Sequence, residues 1–218
     1  MREILIATGN PGKYREIVAV LAEPSAAGAV PVAVRWLGLA DLGRAIPEPH
    51  EDGATFLGNA ILKAAYYARA AGRWTLADDS GLEVDALGGA PGVISARFAG
   101  VNDGSPRAVV DAANNRKLIE MLRGVPAARR TARFRCVLAL SDGERVLATA
   151  DGAIEGRIID DARGAGGFGY DPHFWVEALG KTTAELAAEE KNRISHRGQA
   201  LRRMRERLVG LIAGGDGA

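Results

Sequence analysis

Trp74-Thr75-Leu76-Ala77-Asp78-Asp79-Ser80-Gly81-Leu82-Glu83-Val84-Asp85-Ala86-Leu87 sets an apolar run directly against two adjacent carboxylates. The run reads as a buried strand ending at the acids, after which Leu82, Val84 and Ala86 alternate as a short strand or hairpin arm. Neighbouring acids at the end of a buried strand repel each other and lose hydration, and a cation or a proton between them relieves both burdens. The stretch therefore points to a hard divalent metal held by Asp78 and Asp79, with the other motifs delivering a ligand to it.

Upstream, Phe56, Ala60, Ile61, Ala64, Ala65 and Ala68 recur at helical spacing from Thr55 to about Ala71. Glu51 and Asp52 stand just before this helix, where they either match its dipole or, for Glu51, face a metal. Residues 34–37 read as a strand and residues 23–33 as a connector. The chain opens with a buried strand at residues 4–7, followed by Thr8-Gly9-Asn10-Pro11-Gly12-Lys13. Asn10 is placed to cap a helix with Pro11 at its first position and Ile17, Val18, Val20 and Leu21 on its apolar side. Free amides, a helix dipole and Lys13 suit a phosphate site, although an ordinary capped helix looks the same. It is not a Walker A loop: Gly9 and Gly12 are too close together, and Tyr14 stands where that motif has Ser or Thr.

Downstream, Ser105-Pro106 starts a helix to about Leu122, with Val109, Ala112, Leu118 and Leu122 as its expected apolar face. Phe134, Cys136, Leu138 and Leu140 alternate as a strand, Ser141-Asp142-Gly143 reads as a hairpin turn, and residues 146–150 as the returning partner. Residues 164–172 gather four glycines around Phe168 and Tyr170, which fits either a surface for a flat ligand or a tight structural turn. Lys191, Arg193, His196 and Arg197 cluster at the start of a last helix, with Ser195 as N-cap and Leu201, Met204, Leu208 and Leu211 as core stripe. Arg202, Arg203, Arg205 and Arg207 read as a solvated face rather than a nucleic-acid surface.

Composition narrows the function classes. Hydrophobic residues at 47% and charged residues at 25% are globular values, and a formal net charge of +1 gives no overall pull toward nucleic acid or membrane. The single Cys136 excludes an internal disulfide framework, suits a reducing compartment and lies on the apolar side of its strand. No apolar run reaches the roughly 18 residues of a membrane span, and the first residues are too quickly interrupted for a signal peptide. A cytoplasmic protein is expected.

A glycine–lysine loop, an acid pair with a distant third acid, an aromatic–glycine loop and a Lys…His-Arg cluster together suit phosphoryl-transfer chemistry on a nucleotide. On residues 8–13, Thr55-Phe56 with Asn59-Ala60, residues 77–93 with Ser95-Ala96-Arg97, residues 167–172, and Lys191 with residues 195–200, in that order, the sequence resembles the inosine/xanthosine triphosphate pyrophosphatase family. The resemblance implies an α/β fold: an elongated, mixed, twisted sheet flanked by helices, in two lobes with a central nucleotide cleft. It implies one such domain over residues 1–213, a flexible tail over residues 214–218, and a homodimer without nucleic-acid or membrane partners. The implied reaction is Mg²⁺-dependent hydrolysis of deaminated purine nucleoside triphosphates (ITP, dITP, XTP) to the monophosphate and pyrophosphate.

By the same resemblance, Thr8, Gly9, Asn10, Pro11, Gly12 and Lys13 form the substrate loop, and Lys13 meets triphosphate oxygens. Asp79 accepts a proton from the attacking water and binds Mg²⁺, joined by Glu51 and, in the metal shell, Asp78. Ser80 contacts the substrate, and Phe168, Gly169, Tyr170, Asp171, Lys191, His196 and Arg197 surround the base. Donors from His196 and Arg197 suit a 6-keto oxygen and reject the 6-amino group of adenine. The sequence departs from the family pattern at Gly58, where an acid is frequent, and at His50, where some relatives carry a second acid. Two rival readings remain: a pyrophosphatase for modified pyrimidine nucleotides, and a non-catalytic nucleotide- or nucleic-acid-binding protein using the arginine-rich last helix.

Overall fold

The computed structural model describes residues 2–22, 34–101 and 104–215, with no description of the side chains of residues 214 and 215. The predicted connector at residues 23–33 lies outside them. In chain order the elements are β1 (Arg2–Ala7), α1 (Pro11–Ala22), β2 (Val34–Gly38), α2 (Phe56–Ala71), β3 (Trp74–Val84) and α3 (Arg107–Met121). There follow β4 (Thr131–Ser141), β5 (Val146–Ile158), β6 (Phe174–Val176), β7 (Lys181–Thr182), α4 (Ala188–Ile194) and α5 (His196–Gly215). The strands form an open seven-stranded mixed sheet in the order β2-β1-β3-β4-β5-β6-β7. β1 is parallel to both β2 and β3, whereas β6 is antiparallel to β5 and β7.

Contacts divide the chain into two compact units, one of Met1–Asp79, Cys136–Gly152 and Arg197–Ala218, the other of Ser80–Arg135 and Ala153–His196. In the first unit, local chemistry starts each helix where expected. Asn10 Oδ1 accepts from the Gly12 and Lys13 amides at 2.8 and 3.2 Å, and Thr55 Oγ1 accepts from the Gly58 amide at 3.1 Å. Gly72, at φ 63°, closes α2 with its N–H on Ala68 O. One core gathers Ile17, Val20 and Leu21 of α1 and Leu201, Met204 and Leu208 of α5 around Ile4, Ile6, Leu76, Cys136, Leu138 and Leu140. These are alternate strand residues, so they share one sheet face. Leu5 and Ala77, equally buried, point to the other face, where α2 packs against β1.

The second unit has its own core, in which Leu82 and Val84 meet Phe98, Leu118, Leu122, Phe134, Ile158, Tyr170 and Phe174. Three expectations change. β3 does not stop at the acids but continues through them to Val84, and β5 runs to Ile158 rather than ending near residue 150. On α3, Val109 is 53% exposed and Ala112 is exposed, while Asn114 joins Leu118 as a buried residue. α5 extends to Gly215, and the last three residues of the predicted tail lie outside the described chain. No described helix is long and apolar enough to cross a membrane.

Candidate active site

Asp78 and Asp79 lie within β3 and are both buried. Because side chains alternate along a strand, Asp78 shares the face of Leu76 and therefore of α1 and α5, and Asp79 shares the face of Ala77 and α2. Their close partners agree with this division. Asp78 Oδ2 lies 3.0 Å from Lys13 Nζ and 3.4 Å from Arg197 Nη2. Asp79 accepts from Asn59 Nδ2 at 3.1 Å and lies 3.5 Å from Lys63 Nζ. Their nearest lysines differ, while Asp78 also acts on Lys63 and Lys13 on Asp79.

Lys63 is the principal residue that sequence reasoning missed. Its ammonium also reaches Glu51 Oε2 at 3.2 Å, so two carboxylates converge on it. Burial pushes its pKa down, but Asp78, Asp79 and Glu51 outweigh burial and hold it above the ordinary lysine value. For Asp79 burial wins: its pKa is raised, against the opposing pull of Lys63, Lys13 and the Asn59 hydrogen bond. Asn59, quoted above only as part of a motif, is fully buried; its Oδ1 accepts from the Gly53 amide at 2.9 Å and ties the Glu51 loop to α2. The available signal was Asn59 and Lys63 four residues apart on the alanine-rich side of a helix, where polar side chains interrupt the buried stripe.

The substrate-loop candidates Thr8, Gly9, Asn10, Pro11, Gly12 and Lys13 link β1 to α1. Asn10 acts as the helix cap, and Thr8 Oγ1 accepts from the Asn10 amide at 3.2 Å. Lys13 leaves the first turn toward Asp78. Arg197, placed by resemblance beside the base, has a buried guanidinium engaged by Asp78 and by Glu16 of α1. Those two carboxylates overcome desolvation and raise its pKa. The first unit thus brings Lys13, Glu51, Asp78, Asp79 and Arg197 into one network, with Glu16, Asn59 and Lys63 added by the structure.

In the second unit, Asp171 organises the aromatic–glycine loop. Its Oδ2 accepts from the Phe168 amide at 2.8 Å and pairs with Lys191 Nζ at 2.7 Å, and its Oδ1 accepts from Thr183 Oγ1 at 2.8 Å. Lys191 Nζ also lies 4.8 Å from the Phe168 ring centroid. Of the two aromatics, Tyr170 is a core residue: it is 4% exposed, its hydroxyl donates to Ser95 O at 2.8 Å, and burial raises its pKa. Phe168 is half-buried. His196 is buried and stacked on Phe134, with centroids 5.0 Å apart. Ser80 is half-buried in β3.

Among the described residues no three His, Cys, Asp or Glu side chains form a metal-binding group. Glu51 and Asp79 nevertheless converge on a single cation, the Lys63 ammonium. Two carboxylates completed by water and substrate phosphates are a donor set that suits Mg²⁺. The residues present fit that ion.

A sequence model of the Ham1 family matches residues 4–207. A dITP/XTP pyrophosphatase of Desulforamulus reducens is 47% identical over 206 residues, covering 94% of this chain and 95% of its own. One of Thermus thermophilus is 48% identical over 204 residues, covering 94% and 90%. Among solved structures, a HAM1 protein from Coxiella burnetii superposes with a TM-score of 0.81 at 38% identity, covering 96% of this chain and 100% of its own. A nucleoside-triphosphatase / dITP/XTP pyrophosphatase from Mycobacterium abscessus gives 0.70 at 38% identity, covering 93% and 98%.

Proposed function

The chain belongs to the Ham1 family, and from that premise we propose that it hydrolyses deaminated purine nucleoside triphosphates (ITP, dITP, XTP) to the monophosphate and pyrophosphate. The observation that carries the mechanism is Asp79: a buried carboxylate of raised pKa, aimed by Asn59 and flanked by Lys63. A raised pKa makes a carboxylate a stronger base near neutral pH. Asp79 accepts the proton of a water whose oxygen bonds to the α-phosphorus. The bond from that phosphorus to the α,β-bridging oxygen breaks, and its electron pair leaves with pyrophosphate. Lys13 and Lys63 neutralise phosphate charge, and Asp78 holds Lys13 in place. Glu51 and Asp79 would hold Mg²⁺, which would supply further charge neutralisation at the phosphates.

Lys191 and Phe168 face the base in this reading, and His196 supplies a donor to the 6-keto oxygen. The buried Cys136, in no disulfide among the described residues, suits a cytoplasmic setting, and a homodimer is the assembly the resemblance implies. Product analysis tests the proposal. ITP with Mg²⁺ should give IMP and pyrophosphate, with XTP and dITP turned over and ATP, GTP and modified pyrimidine triphosphates disfavoured. Asp79→Asn should lose roughly 10²-fold or more in kcat. IDP and phosphate as products, or wild-type turnover by Asp79→Asn, would overturn it.

A further inference from the structure

The backbone of Gly169 is held on both sides by one turn of α3. Its N–H donates to Asp111 Oδ2 at 2.9 Å, and its C=O accepts from Asn115 Nδ2 at 2.8 Å. Residues four apart on a helix present neighbouring side chains, so Asp111 and Asn115 act as a pair on a loop more than fifty residues away. Gly169 sits at φ 64°, in the left-handed region, so the hydrogen bonds hold a turn that few other residues would adopt. Asn115 Oδ1 is buried with no hydrogen-bond partner among the described residues. An amide left half-unsatisfied is a burden to the fold, and the bond from Nδ2 to Gly169 is what offsets it.

The loop so fixed is the one that carries Phe168 and, through Asp171, Lys191. We propose that Asn115, with Asp111, is a positioning residue: α3 sets the place of the Phe168 ring and the Lys191 ammonium, and thereby the enzyme's grip on the purine. This rests on the function proposed above and adds residues from outside its motifs.

The test compares wild type, Asn115→Ala and Asn115→Asp by ITP kinetics and by amide hydrogen exchange over residues 165–172. Losing one neutral hydrogen bond should raise KM for ITP roughly 2- to 10-fold with kcat little changed, and exchange in that segment should quicken. Asn115→Asp keeps the shape but turns an acceptor toward the Gly169 carbonyl. It should be no better than Asn115→Ala, and it keeps the test open should Asn115→Ala fail to fold. Wild-type KM in both variants, wild-type exchange in both, or full rescue by aspartate would each overturn the inference. If the wild type turns over no deaminated purine triphosphate, the proposed function falls, and the exchange comparison alone decides whether α3 holds the loop.

Discussion

Replacing Lys63 by methionine removes a buried charge while nearly preserving its length. The lysine side chain is 9% exposed and serves Glu51 at 3.2 Å and Asp79 at 3.5 Å. Removing one partner of a buried pair costs about 3–5 kcal/mol, because the charge left behind is uncompensated. The lower end, about 3 kcal/mol, is expected here, since Lys13 and Asn59 still favour the ionised form of Asp79. The loss should depend on pH. Asp79 already has a folded pKa above its ordinary value, and without Lys63 it rises further. A group whose folded pKa is raised stabilises the protein below its unfolded pKa and loses that contribution as pH rises through the folded value. The penalty of Lys63→Met should therefore be full near pH 7.5 and smaller near pH 5. Urea unfolding at both pH values, followed by tryptophan fluorescence, measures this; Trp36 and Trp74 both lie in the first unit. Adding Asp79→Asn should recover much of the loss by removing the stranded charge. An equal penalty at both pH values, or a double variant no more stable than Lys63→Met, would refute the reasoning.

Two backbone-level predictions follow from α2 and its approach. Gly58 is exposed at the third helical position after the cap Thr55, so Gly58→Glu completes a Thr-x-x-Glu capping box. The Cβ would lie 3.2 Å from Thr55 Oγ1, which must yield slightly. Better helix propensity and the added cap should stabilise by about 1 kcal/mol, read as a rise in Tm of about 2–4 °C. Gly53→Ala should do the opposite, because its Cβ would fall 2.3 Å from Asn59 Oδ1. Relieving that clash displaces the Asn59 side chain that aims Asp79, so a stability loss of about 1–3 kcal/mol should accompany reduced kcat.

What was legible in the sequence was what local chemistry decides. Asn10 and Thr55 announce α1 and α2 because a cap acts on amides two or three residues away. Leu201, Met204 and Leu208 announce the inner stripe of α5 by spacing alone. β3 was read as ending too early because two acids and Gly81 break its apolar pattern. The cations that let the strand continue come from Lys13, Lys63 and Arg197, which no local window contains. On α3, the apolar Val109 sits in an exposed first turn, while buried Asn114 earns its place by binding loop backbone at Ala99, Ser95 and Ala96. Lys63 was invisible for a related reason. A lysine in an alanine-rich helix is ordinarily solvated, and only the folded chain brings Glu51 and Asp79 to it.

The charges of the first-unit network explain why strand alternation matters. Four carboxylates, Glu16, Glu51, Asp78 and Asp79, face three cations, Lys13, Lys63 and Arg197. Four acids beside one cation would be untenable in a buried site. Divided by β3, Asp78 and Glu16 take Arg197 and Lys13 on one face, while Asp79 and Glu51 take Lys63 on the other. Asp78 pairs with Lys13 and so serves as counter-ion to the lysine proposed to meet phosphate. On the second face two acids, Glu51 and Asp79, the pair proposed to bind metal, converge on one lysine, Lys63. In the proposed reaction a divalent ion would offset the repulsion between these carboxylates and an approaching triphosphate. The same imbalance helps keep the pKa of Asp79 high, since Glu51 adds to the effect of burial. Proton affinity at Asp79 and the proposed requirement for a divalent cation would thus share an origin, the convergence of Glu51 and Asp79 on Lys63.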